Sequence, residues 1–98
     1  MTEPEALAQF ISCYLHQDWT DDYADVWVAA DDFALSEPED APRLAGEVEA
    51  LLGDAPSERN LMELVDKFEG NYRPEADGLT YRAWLLALVE RVERTRAH

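Results

Sequence analysis

The chain has 98 residues, 22 of them acidic and 8 basic, for a formal charge of −14, and 47% of its residues are hydrophobic and 10% aromatic. That apolar content offsets the entropy of ordering and excludes a disordered acidic tail. The charge excludes nucleic acid or an anionic membrane as a direct ligand, because phosphate contacts need cations.

One domain over residues 1–98 is expected, too small to divide into catalytic and regulatory parts. No basic leader followed by an apolar run opens the chain, and no stretch of about 18 apolar residues could span a bilayer. A soluble cytoplasmic protein, with the monomer favoured, is therefore expected. The lone Cys13 forms no intramolecular disulfide, in keeping with a reducing compartment.

Charge is unevenly spread. Eleven acids precede Arg43 and no lysine or arginine does, whereas from Arg43 onward there are 11 acids and 8 bases.

Pro4 suits the first turn of a helix capped by Thr2 or Glu3, and Leu7, Phe10, Ile11, Tyr14 and Leu15 then recur at helical spacing. The periodicity lapses at His16-Gln17-Asp18-Trp19. These four residues offer donors, acceptors and an indole that can lock a turn and anchor it in the core. Thr20 or Asp21 is expected to cap a second helix running through Trp27 to about Leu35, with Asp21, Asp22 and Asp25 favoured in its first turn by the helix dipole. Ser36-Glu37-Pro38-Glu39 has the form of a capping box for a third helix with Leu44, Val48, Leu51 and Leu52 as its stripe. Gly46 inside that helix costs about 1 kcal/mol relative to alanine, and close approach by a neighbouring helix is the expected reason.

Gly53 ends the third helix, Pro56-Ser57 opens a fourth with Leu61, Leu64, Val65 and Phe68 on one face, and Gly70 or Asn71 is the expected left-handed stop. Pro74 and Asp77-Gly78 are turn chemistry. Thr80 caps a last helix lined by Tyr81, Trp84, Leu85, Leu88, Val89 and Val92, with Arg91, Arg94 and Arg96 near its C-terminus. No segment alternates as a strand would. The expectation is an all-α fold, a bundle of four to five short helices.

Several constellations carry possible chemistry. Asp21-Asp22-Tyr23-Ala24-Asp25 fits a D-D-x-x-D pattern that on a helix could hold magnesium, but such chemistry needs a deep cavity and phosphate-binding cations, and a solvated acidic first turn accounts for the same residues. Cys13 and His16 could pair as thiol and base; without an orienting third group, Cys13 reads as a small buried hydrophobe. His98 is terminal, and two histidines with one cysteine leave a zinc site short of ligands. No catalytic residue, metal or cofactor is expected. Trp19, Trp27 and Trp84 read as core, and Asp18 either as an exposed binding acid or as a cap for the following helix that orders His16. The acids Asp21, Asp22, Asp25, Asp31 and Asp32, with Glu37, Glu39 and Asp40 at the rim, read either as a hydrated face or as a binding surface for a basic partner.

Tyr14-Leu15-His16-Gln17-Asp18-Trp19 resembles the signature of a bacterial family of small helical immunity proteins from contact-dependent growth inhibition systems. Tyr72-Arg73-Pro74 with Asp77-Gly78-Leu79-Thr80-Tyr81-Arg82-Ala83-Trp84-Leu85 resembles that family's second conserved block. The likeness runs from about Ala6 to Leu88 and is loose between Ala24 and Asn60. Ser12-Cys13, Leu15 and Ala83 depart from the family pattern. The resemblance implies a cytoplasmic antidote that binds the toxic C-terminal domain of a secreted effector without catalysis of its own, with His16, Gln17, Asp18, Trp19, Tyr72, Gly78, Tyr81 and Trp84 as structural signature. A nuclease is the expected target, since its groove must be cationic. The rival expectations are an acidic adaptor or regulatory subunit of a cytoplasmic complex and a small metal-dependent hydrolase using Asp21, Asp22 and Asp25.

Overall fold

Apolar residues three and four apart build helices wherever that spacing is sustained. The computed structural model describes residues 4–97, and these form six α-helices: α1 (Glu5–Tyr14), α2 (Trp19–Asp22), α3 (Val26–Ser36), α4 (Ala41–Gly53), α5 (Glu58–Lys67) and α6 (Tyr81–Arg96). A 3-10 turn at Pro74–Asp77 precedes α6, and no strand occurs among the described residues. The fold is all-α. It has more helices than the four to five expected because the second predicted helix is broken in two.

That break has a local cause. Tyr23 adopts an extended backbone, and the Asp25 carboxylate accepts the Val28 N–H at 2.9 Å, capping α3. An aspartate cap satisfies an orphan helix donor, so the helix restarts at Val26 instead of running on from Thr20 or Asp21. The cap expected at Thr2 or Glu3 lies outside the described residues.

Ser36 also departs from expectation. It is the last residue of α3, and its hydroxyl donates to Asp32 one turn back at 2.8 Å, so it is not free to open a capping box. Pro38 falls in the connection, and α4 begins at Ala41 with Pro42 in its first turn, where a missing N–H costs nothing. Ser57 and Thr80 act as expected, accepting from Asn60 N–H at 3.1 Å and Ala83 N–H at 3.0 Å.

Two helices receive a further cap from across the fold. Both carboxylate oxygens of Glu47 on α4 accept from the first turn of α1, from Ala6 and Leu7 N–H at 3.0 Å each. Glu58 on α5 does the same for α6, accepting from Tyr81 N–H at 2.6 Å and Arg82 N–H at 3.1 Å. A carboxylate placed there meets both unsatisfied donors and the positive end of the helix dipole.

The core forms around α6, whose Tyr81, Trp84, Leu85, Leu88 and Val92 are buried. α6 packs chiefly on α3 and α4 and also on α5, while α1 closes the other side against α4 and α3. Phe10, Tyr14 and Phe33 meet ring to ring where α1 crosses α3, with centroids 5.2 Å (Phe10–Phe33) and 5.5 Å (Tyr14–Phe33) apart in edge-on contact, the geometry the ring quadrupoles favour. Trp84 is fully buried, and Trp19 and Trp27 are half-buried against the same core.

Two glycines differ from expectation. A Cβ on Gly46 would meet nothing within 4 Å, so no neighbouring helix requires glycine there. The left-handed residue after α5 is Glu69, at φ 62°. Gly70 is required for space instead: a Cβ would come within 2.7 Å of Val65 Cγ1 and 2.8 Å of Ile11 Cγ2.

Gly46→Ala is therefore expected to stabilise the fold by about 1 kcal/mol, the helix-propensity difference, and Gly70→Ala to destabilise it by about 1–3 kcal/mol through overpacking. Urea unfolding midpoints check both.

Candidate functional site

The turn after α1 carries the first quoted block. His16 Nδ1 accepts the Asp18 N–H at 3.1 Å, which leaves Nε2–H to donate to Asp22 at 3.2 Å. Asp18 stands at the N-cap of α2, yet its carboxylate makes no cap bond; it orders His16 through its backbone. Gln17 is exposed.

This turn is fastened to Asn71, the residue just ahead of the second block, by a reciprocal pair of bonds. Asn71 N–H donates to Leu15 O at 2.9 Å, and Trp19 Nε1–H donates to Asn71 O at 3.3 Å. The Trp19 ring then meets Tyr72 edge-on at 5.8 Å, and Tyr72 lies 5.3 Å from Trp84. Tyr72 donates to Asp77 at 2.7 Å, burial and that carboxylate pushing its pKa well above the usual tyrosine range. Gly78, at φ 76°, ends the 3-10 turn in a conformation that favours glycine. Buried Tyr81 accepts from Arg73 at 3.4 Å.

The sequence-predicted acids are divided by their partners. Asp22, Asp32 and Glu37 gather around the stacked pair Tyr14–Tyr23, whose rings are 6.2 Å apart. Tyr23 donates to Asp32 at 2.5 Å and Tyr14 to Glu37 at 3.3 Å. Burial, with Glu37 and Asp32 nearby, pushes the Tyr14 hydroxyl up to about 12, so it stays a donor. Asp31 turns to α6 instead: Arg91 grips it with two bonds of 2.7 Å and Thr95 adds a third at 2.7 Å. The Arg91 hydrogen bonds hold the Asp31 carboxyl below its ordinary value of 3.8, against a smaller opposing cost of burial. Asp25 is the α3 cap. Asp40 lies 3.7 Å from Arg43, which also reaches Glu5 at 3.2 Å. Asp21 and Glu39 are exposed.

Sequence reasoning did not find the tyrosine hydroxyls or Asn71 as partners. The Asp32–Ser36 bond follows from four-residue spacing on one helix, but Tyr23–Asp32 and Asn71–Leu15 depend on how helices pack.

The extended stretch at Tyr23 separates Asp21 and Asp22 from Asp25, so the D-D-x-x-D spacing is not realised on one helix. Among the described residues no three His, Cys, Asp or Glu side chains are grouped to hold a metal. Cys13 is exposed, not the buried hydrophobe expected, and His16 engages Asp18 and Asp22. An apolar groove of about 470 Å³ runs between α4 and α6, lined by Val48, Leu52, Leu86 and Val89.

The Leu15–Asn71–Trp19 clamp thus unites the two blocks that carried the family resemblance, and the comparison of the whole sequence with known families bears on the same question. Residues 3–92 match the CdiI immunity protein family. The chain belongs to that family. Membership places it among proteins that neutralise toxins of contact-dependent growth inhibition. Comparison with curated proteins and with solved structures finds no match. No helix among the described residues of this CdiI family member is long and apolar enough to cross a membrane.

Because the folded Asp31 carboxyl titrates below its ordinary value, its charge stabilises the fold above that value and the contribution is lost as pH falls through the folded value. Asp31→Asn is expected to lower the melting temperature at pH 7, with the gap to the wild type closing as pH falls below 3.8. Thermal melts across pH read this directly.

Proposed function

We propose that the chain acts in the cytoplasm as a one-domain, monomeric immunity protein that binds the toxic C-terminal domain of a contact-dependent growth inhibition effector and blocks it, with no catalysis or cofactor of its own. The toxin in this reading is a nuclease. Its groove must be cationic to hold phosphates, and carboxylates on the antidote occupy the same positions.

One observation carries the electrostatic part. Asp32 and Glu37 are held by neutral hydroxyl donors from Tyr23, Ser36 and Tyr14, so their directions are fixed while their charge is not cancelled by a lysine or arginine. In this reading the exposed Asp21, Asp22 and Glu39 add to the field, and Asp25, which caps α3, and Asp40, beside Arg43, contribute less. Asp31, closed by Arg91, contributes to the fold more than to the field. A field of this sign raises the rate of encounter and selects the partner more than it sets final affinity.

Co-expression with candidate toxin domains is expected to restore growth against the cognate one and to yield a stable complex with it. In stopped-flow mixing, association is expected to slow at least about 10-fold between about 0.05 M and about 1 M salt, where screening collapses the field. Equal rates at both salt concentrations would remove electrostatic docking from the proposal.

A further inference from the structure

α3 buries one side only. Val26, Ala29, Ala30, Phe33 and Ala34 face the core, and at 3.6 residues per turn the opposite side presents Val28, Asp31, Asp32 and Leu35. Val28 and Leu35, seven positions and about 10 Å apart along the axis, are 42% and 69% exposed. Among the described residues the other exposed large hydrophobic side chain is Leu86, which lies away from them on the α4–α6 groove. Two of the three therefore stand on one helix line.

The carboxylates beside that line differ in state. Asp31 is closed by Arg91 and Thr95. Asp32 is fixed by the neutral hydroxyls of Tyr23 and Ser36. An apolar pair with a fixed, uncancelled anion alongside, in a stretch without any lysine or arginine before Arg43, is complementary to a segment that presents apolar side chains next to a cation. Because both hydroxyl bonds already hold Asp32 in place, little rotamer freedom remains to be lost on binding.

We infer that the outward face of α3 is the docking surface for a cationic protein segment, with Val28 and Leu35 as its apolar anchors and Asp32 as its charged contact. Identifying that segment as part of the toxin rests on the immunity reading above. The two kinds of contact have separable effects: buried apolar anchors govern how long a complex lasts, and charge governs how fast it forms.

The probe is the purified C-terminal toxin domain against which this chain restores growth in the co-expression test, mixed with the full chain. Leu35→Ser and Val28→Ser are each expected to raise the dissociation rate about 10-fold with the association rate within about twofold of wild type. Asp32→Asn is expected to slow association and flatten its salt dependence. Leu86→Ser is expected to change neither rate. All four variants are checked by thermal melting, so that a rate change is read only on folded protein. Wild-type rates for both Leu35→Ser and Val28→Ser, or faster dissociation for Leu86→Ser alone, would overturn this face while leaving the immunity role intact. Failure of the wild-type chain to bind the toxin domain would overturn the immunity reading and this inference with it.

Discussion

The stretch before Arg43 contains eleven carboxylates and no lysine or arginine, so it cannot relieve its own charge with those cations. Relief comes from other groups. Arg91 reaches from α6 to Asp31, and Arg43 reaches from α4 to Glu5 and Asp40. Asp25 is placed at the positive end of α3, His16 faces Asp22, and tyrosine and serine hydroxyls hold Asp32 and Glu37. Only the first two of these cancel charge with an arginine. The remainder fix carboxylates in place without neutralising them, which is how a stable core and a strongly negative surface coexist in a small protein.

The same economy governs Glu47 and Glu58. Each would add to the repulsion if left in solvent, but each instead meets the two free N–H groups at the start of another helix. The acid-rich composition is thereby turned into tertiary bonds, because a helix N-terminus offers a carboxylate both free N–H donors and the positive end of the helix dipole.

A second set of residues does the holding. Trp19, Tyr72 and Trp84 form a continuous line of rings from the turn after α1 to the N-terminal end of α6, and Asn71 bonds both Leu15 and Trp19. These residues face inward or toward one another. Asp21 and Asp22 of α2 are exposed, Asp32 of α3 is half-buried beside Tyr23, and Asp31 turns to Arg91 on α6.

Helical periodicity in the sequence determined the all-α class, the bodies of α1, α5 and α6, and the caps at Ser57 and Thr80, because these depend on residues within one or two turns of each other. It also determined that charge would be concentrated in the first half. Local chemistry that periodicity does not register set the break between Tyr23 and Val26, where extended Tyr23 and the Asp25 cap outweigh an apolar stripe that reads as continuous, and it tied Ser36 back to Asp32 so that Ser36 does not open α4. Tertiary structure decided that Gly70 and not Gly46 is sterically required and that Cys13 is exposed. It also separated eight acids that are alike in sequence into those closed by arginine, those capping or fixed by hydroxyls, and those open to solvent. The reason is the same in each case: a carboxylate's role is set by the donor that packing brings beside it, and Arg91 stands 60 residues from Asp31.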